Sequence, residues 1–439
     1  MRTLYNILFA TFFWLSAPHY FLKMWRRGNW RRGFGERFGK YETRLKHALT
    51  NRQVIWFHAV SVGEVNVCTQ LIAALEPRAP NLKIVVSTTT STGRAELEKK
   101  LPGHIEKIYY PIDRRRHVVR AISLLNPLAV VLVEAEIWPN FIWRLDEKRI
   151  PWFLVNARLS ERSFRGYRRF GRLFRPLFAT CAGAGAQNEA DAAKLRALGC
   201  PPEAVHVVGS LKFDAARVDQ RQRLDVAGML RQLGVAPNAR ILVAGSTHAG
   251  EESLLAEQFL RLKARFPDLF LVLVPRHFER GREVGRELEA RGVKFVYRSE
   301  MTAKAQYAPG QVQCLLVNTT GELKLFYEQA TVIFVGKSLT STGGQNPIEP
   351  AALSKAMVFG PNMQNFAAIV AAFLERKGAA QARDAADLER ILGDLLADEA
   401  KRDELGRNAA AVVRDNQGAI ARTVELILGH LSETHVEKA

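Results

Sequence analysis

The sequence predicts an α/β fold made of two successive Rossmann-like halves. Short apolar, β-branched runs alternate with helical patterns along most of the chain, which implies parallel sheets covered on both faces. The alternation stops near residues 213–238, a polar, strand-free stretch, and then restarts. Glycine- or acid-bearing turns follow the strands, where ligands of such folds bind. A chain of 439 residues with 47% hydrophobic content can bury the cores of two ordinary domains.

At the N-terminus, residues 4–22 carry no charge at neutral pH unless His19 is protonated. A bilayer needs about 20 apolar residues to be spanned, so the segment is marginal, and Pro18 and His19 interrupt it. A cleaved signal peptide would carry its positive charge before the apolar core and a small-x-small site after it. Here only Arg2 precedes, while Lys23, Arg26, Arg27, Arg31, Arg32 and Arg37 follow, a bias that keeps the rest of the chain in the cytoplasm. Residues 1–25 are therefore expected to form an uncleaved membrane anchor or an interfacial helix, with the basic run on anionic headgroups. A buried helix of the first domain is the alternative.

Strands of the first half are expected at 54–60, 84–87, 105–110, 129–133, 152–156 and 205–208. After the first comes H-A-V-S-V-G-E (58–64), where Gly63 permits a tight turn and Glu64 opens a helix. A Glu in a first helical turn complements the helix dipole. On a cleft floor it can instead act as a general base toward an acceptor hydroxyl. The fourth strand ends in E-A-E-I-W-P-N (134–140), and Glu134 and Glu136 are costly there unless paired or used. After the sixth comes G-S-L-K-F-D (209–214), where Lys212 can face a phosphate or a carboxylate, or pair with Asp214.

The second half repeats the pattern at 241–244, 269–274, 294–297, 312–317, 332–335 and 356–359. Its strands end in the turn at Ser246, in Pro275-Arg276, in Thr320-Gly321-Glu322 and in a glycine-rich loop from Gly336 to Pro350. Arg276 can grip a phosphate in a fork geometry. The loop is expected to leave backbone N–H groups free for an anion. Asn346 is the expected cap of the next helix, with Pro347 first and Glu349 third as in a capping box. The expected domains are 26–215 and 216–439, with a ligand in the cleft between the two sheets.

The formal charge of +19 calls for an anionic partner. Residues 1–50 hold ten Lys or Arg against two acids, and a second basic run comprises Arg158, Arg162, Arg165, Arg168, Arg169, Arg172 and Arg175. Phe164, Tyr167, Phe170 and Phe174 interleave with that run, which fits a basic-amphipathic interface better than a nucleic-acid reader. Four scattered cysteines indicate a reduced protein without a zinc ribbon or disulfide framework, and no motif suggests a catalytic metal.

These blocks, with N-A-R-L-S-x-R-S (156–163), G-S-T-H-x-G-E-E (245–252), V-P-R-H-x-E-R (274–280) and G-G-x-N-P-x-E-P (343–350), resemble the bacterial 3-deoxy-D-manno-octulosonic acid (Kdo) transferases, over nearly the whole chain. The resemblance implies a two-domain GT-B fold and transfer of Kdo from CMP-Kdo to the lipid A precursor lipid IVA. It implies an inverting reaction at the cytoplasmic face of the inner membrane, with no cofactor and no catalytic metal. By the same resemblance Glu64 is the base, and Glu134 and Lys212 support the transition state. Pro275, Arg276, Thr320, Gly321, Glu322, Asn346, Pro347, Ile348 and Glu349 match the segments that hold CMP. The chain departs from the family pattern at Gln345, often His, and at Val317-Asn318-Thr319. Another GT-B nucleotide-sugar transferase or an epimerase is the alternative enzyme. A basic module that only binds anionic lipid is the non-enzymatic one, and nucleic acid is not expected as a partner.

Overall fold

The computed structural model describes residues 1–26, 33–134, 136–214, 224–302 and 305–436. Arg27, Arg31 and Arg32 of the basic run, and much of the break at 213–238, lie outside them. Two compact units are present, one formed by residues 1–215 with 416–439 and the other by 216–415. Together they make the two-domain α/β fold expected from the alternation, GT-B-like as the family resemblance implies.

The first unit holds a seven-stranded parallel sheet of β1 (Gln53–His58), β2 (Leu82–Thr88), β3 (Glu106–Tyr109), β4 (Pro127–Val133), β5 (Trp152–Ala157), β6 (Gly183–Ala186) and β7 (Val205–Val207). Its order is β3-β2-β1-β4-β5-β6-β7. Alternate residues of each strand enter opposite cores. Val54, Trp56, Val130 and Leu132 pack on one face, while Ile55, Phe57, Ala129 and Val131 pack on the other. Strand order reverses between β1 and β4, which makes the ends of these two strands the natural ligand crevice.

The second unit repeats the plan with β8 (Ile241–Thr247), β9 (Phe270–Pro275), β10 (Phe295–Tyr297), β11 (Cys314–Leu316), β12 (Val332–Val335), β13 (Met357–Phe359) and β14 (Ala380–Gln381). The order is β10-β11-β9-β8-β12-β13-β14, so its reversal falls between β8 and β12, with β10 as an added edge strand.

Two strands were not expected. In β6, Gly-Ala-Gly-Ala carries no β-branched residue, yet all four positions are buried. A Cβ at Gly183 would stand 2.9 Å from the Phe153 ring and 3.2 Å from the Leu426 side chain, so small residues let a helix close over the strand. That helix is Ala419–Val436, whose Val424, Ile427 and Leu431 join the core built around helix Val62–Leu75. Residues 416–439 thus fold with the first unit, although the sequence reading ran the second half to the C-terminus.

The N-terminal segment is one helix, Arg2–Arg26, docked on the first unit by one face. Tyr5 packs edge-on to Trp143 at 5.7 Å, and Phe9 meets Trp138 at 6.3 Å. The Tyr5 hydroxyl donates to Asp113 at 2.7 Å. Buried Asp113 also accepts from the N–H groups of Asn140 and Phe141, capping helix Pro139–Glu147. The opposite face leaves Leu4, Leu8, Leu15 and Leu22 at least half exposed. Among the described residues no helix is long and apolar enough to cross a membrane.

The second basic run also differs from its expectation. The chain breaks at Phe170 into helices Glu161–Arg169 and Gly171–Phe178. Phe164, Tyr167 and Phe174 turn inward onto the core, and only Phe170 among the four aromatics stays exposed. Arg162, Arg165, Arg168, Arg169, Arg172 and Arg175 remain exposed, so the face is basic rather than aromatic.

Candidate active site

In the first unit the site grows from the end of β1. Ser61 caps helix Val62–Leu75, accepting from the Glu64 N–H at 3.2 Å. The Glu64 carboxyl answers by accepting from the Val60 N–H at 2.8 Å and the Ser61 hydroxyl at 2.8 Å. This reciprocal box fixes the side chain at the sheet's reversal point. Burial pushes the Glu64 carboxyl above its ordinary range; the Val60 N–H opposes that shift and the charge of Glu134 adds to it. A carboxylate so placed is a stronger base than one in water.

Glu134 follows β4 with φ +64°, a left-handed conformation unusual for Glu. Its N–H still bonds the Val155 carbonyl at 2.9 Å, so the neighbouring strand holds the strained turn in place. The Lys212 ammonium lies 3.7 Å from a Glu134 oxygen. The structure therefore brings Glu64, Glu134 and Lys212 to one rim. Asp214 is not the partner of Lys212 in an ion pair; it caps the C-terminal helix, accepting from Gly418 and Ile420 N–H at 2.7 Å each. Glu136 accepts from the Trp138 indole at 2.6 Å, a structural use.

His58, at the end of β1, is no competitor as base. Burial lowers its pKa to about 3, Nδ1 lies 2.9 Å from the Ser87 hydroxyl, and the ring stacks on Tyr110 at 3.9 Å.

In the second unit the expected donor residues follow β9, β11 and β12. Pro275 closes β9, and the Arg276 N–H bonds the Thr247 carbonyl at 3.0 Å, tying this turn to the end of β8. The Arg276 side chain is exposed and, among the described residues, has no ion-pair partner. Thr320 and Gly321, the latter at φ +87°, form the turn after β11. Glu322 is already engaged. Arg298 holds both its oxygens at 3.1 Å, and the Thr319 hydroxyl donates at 2.7 Å.

The glycine-rich loop departs from its expected chemistry in two ways. Helix Ile348–Ala352 starts one residue late, with Pro347 at the cap. Asn346 accepts from the Ile348 N–H at 3.1 Å, and its amide reaches the Glu349 side chain at 3.3 Å. With five residues, this helix has little dipole to offer an anion. The N–H groups expected to be free are also partly used. Fully buried Glu251 accepts from Lys337 at 2.7 Å, Ser338 at 2.7 Å and Leu339 at 2.9 Å, and from His248 at 3.0 Å. The chain thus supplies its own anion to the first part of the loop. The backbone N–H groups of Gln345 and Asn346 meet no acceptor among the described residues. Sequence reasoning gave Glu251 no role. The available signal was local, since His248 and Glu251 have the spacing of a capping box.

Among the described residues no group of three or more His, Cys, Asp or Glu side chains is placed to hold a metal ion.

Residues 32–215 match the family described as 3-deoxy-D-manno-octulosonic-acid transferase (kdotransferase). A Haemophilus influenzae protein named 3-deoxy-D-manno-octulosonic acid transferase is 32% identical over 92% of this chain and 92% of its own length. One of the same name from Bordetella pertussis is 31% identical over 94% of this chain and 96% of its own. Among solved structures, UDP-GlcNAc 2-epimerase from Neisseria meningitidis bound to UDP-GlcNAc superposes with TM-score 0.58 at 15% identity, covering 86% of this chain and 100% of that one, a likeness of fold. With relatives of that name along nearly its whole length, the chain belongs to the Kdo transferase family of glycosyltransferases, enzymes of lipopolysaccharide biosynthesis.

Proposed function

We propose that the chain moves Kdo from CMP-Kdo onto lipid IVA, inverting the anomeric centre without a catalytic metal. The observation that carries this is the cluster of Glu64, Glu134 and Lys212 in a chain of this family. Glu64 takes the proton of the acceptor hydroxyl as its oxygen bonds to the anomeric carbon and the bond to the CMP phosphate breaks. Lys212, balanced by Glu134, places a positive charge beside the forming bond. In the second unit, Arg276 and the backbone N–H groups of Gln345 and Asn346 offset the charge of the departing CMP.

We place the reaction at the cytoplasmic face of the inner membrane. The outward leucines of the N-terminal helix and the exposed arginines of 162–175 support that placement. The exposed leucine face of the helix supports a placement along the surface rather than across it.

The direct test is Glu64→Gln with purified enzyme, lipid IVA and CMP-Kdo. Turnover is expected to fall on the order of 10²–10⁴-fold, the usual worth of a positioned base, while calorimetry finds CMP affinity unchanged. Normal turnover would remove Glu64 from the role. Tighter binding of UDP than CMP would favour a different nucleotide-sugar enzyme. Loss of activity on chelation would overturn metal independence.

A further inference from the structure

Glu251 is fully buried in the second unit and joins segments far apart in the chain. One carboxylate oxygen accepts from the His248 and Lys337 N–H groups at 3.0 and 2.7 Å. The other accepts from Ser338 and Leu339 at 2.7 and 2.9 Å. Its neighbour Glu252 is paired with Arg280 at 2.8 Å, whereas Glu251, among the described residues, makes no ion pair. A buried charge without a counter-ion is costly. Capping helix Glu251–Arg265 requires only the bond from His248. The three bonds to residues 337–339 go beyond that need and fix the opening of the glycine-rich loop. An amide in this place has a single accepting oxygen, too few for four donors.

What these bonds hold is a strained backbone. Lys337 takes φ +56°, a left-handed conformation rare for a long side chain. Gly336 before it is pressed against β8, where a Cβ would stand 2.6 Å from the Ser246 carbonyl oxygen. The Lys337 carbonyl in turn accepts from the Gly344 N–H at 3.0 Å, which ties the two ends of the loop together. Gly344 directly precedes Gln345 and Asn346, whose backbone N–H groups meet no acceptor among the described residues. Two hydrogen bonds, both through Lys337, therefore connect the Glu251 carboxylate to the segment that presents those groups.

We propose that Glu251 is a positioning residue for the donor, its carboxylate fixing the loop so that the Gln345 and Asn346 N–H groups are aimed at the phosphate of CMP. It also occupies residues 337–339 with an anion of the chain's own, which confines the ligand phosphate to the far end of the loop. The loop is set before the ligand arrives, and binding does not have to order it. The inference rests on the reading of those two N–H groups as part of the CMP site.

Full-length protein is titrated with CMP by calorimetry, well below the melting temperature of every variant. Glu251→Gln should weaken binding roughly tenfold or more, raise the KM for CMP-Kdo and leave the KM for lipid IVA unchanged. Glu251→Asp, which keeps the charge, should recover part of the loss. Leu392→Ala, a cavity in the core of the same unit, should lower the melting temperature with CMP affinity unaltered. Wild-type affinity in Glu251→Gln would overturn the positioning role and leave the CMP site standing. Equal weakening in Leu392→Ala would assign the effect to lost stability and overturn that role as well. Hydrogen exchange checks the underlying reading, since CMP should slow exchange of residues 343–348 in the wild-type protein. Unchanged exchange there would overturn the loop as the phosphate site, and the inference with it.

Discussion

At the scale of single residues, two carboxylates do opposite work. Glu64 is the proposed base, whereas Glu251 is committed to four backbone N–H groups. Because the Glu134 charge helps to raise the Glu64 pKa, Glu134→Gln should lower it. A base works only when ionised, so activity is lost as pH falls through the pKa of Glu64. The acid limb of the pH–rate profile should then move to lower pH in Glu134→Gln, with a lower plateau; an unmoved limb would separate that limb from Glu64. Glu251→Gln turns an NH₂ group toward donors that need an acceptor. Thermal unfolding of the second unit should show a loss of about 2–3 kcal/mol, the cost of buried donors left unpaired. Glu64 was legible because its partners, Val60 and Ser61, stand within four positions of it. Glu251 was not, because three of its four partners lie 86 to 88 residues away.

At the scale of elements, strands announced by Val, Ile and Phe were legible to within a few residues. The Gly-Ala strand β6 was not, since its composition answers to the ring of Phe153 and the helix above it rather than to strand propensity. Gly183→Val should therefore destabilise the first unit by about 1–3 kcal/mol through overpacking, read as a lower midpoint in urea. The basic aromatic stretch shows the reverse error. Helical spacing correctly grouped Phe164, Tyr167 and Phe174, but it could not say that their shared face turns inward. For the N-terminal helix the outward leucines are exposed and contribute little to folding. Leu8→Glu with Leu15→Glu should leave the melting temperature unchanged and sharply reduce flotation with vesicles.

At the scale of the whole molecule, the alternation of strands and helices foretold two doubly wound units, and parallel pairing put every strand-end motif of a unit at one end of its sheet. The return of the C-terminal helix was not legible. An amphipathic pattern says that a helix covers a core, without saying which one. Removing residues 416–439 should strip a cover from Val65, Leu71 and their neighbours in the first unit. Calorimetry should then show the first unit's transition lowered or lost, while the second unit still melts cooperatively and binds CMP.

That returning helix also orders events during synthesis. The second unit is one unbroken stretch and can close as soon as residue 415 clears the ribosome. The first unit, although translated earlier, waits with part of its sheet uncovered for residues 416–439. Domains commonly fold in the order in which they are made. Here the unit that carries the proposed base is begun first and completed only after the second unit has been made.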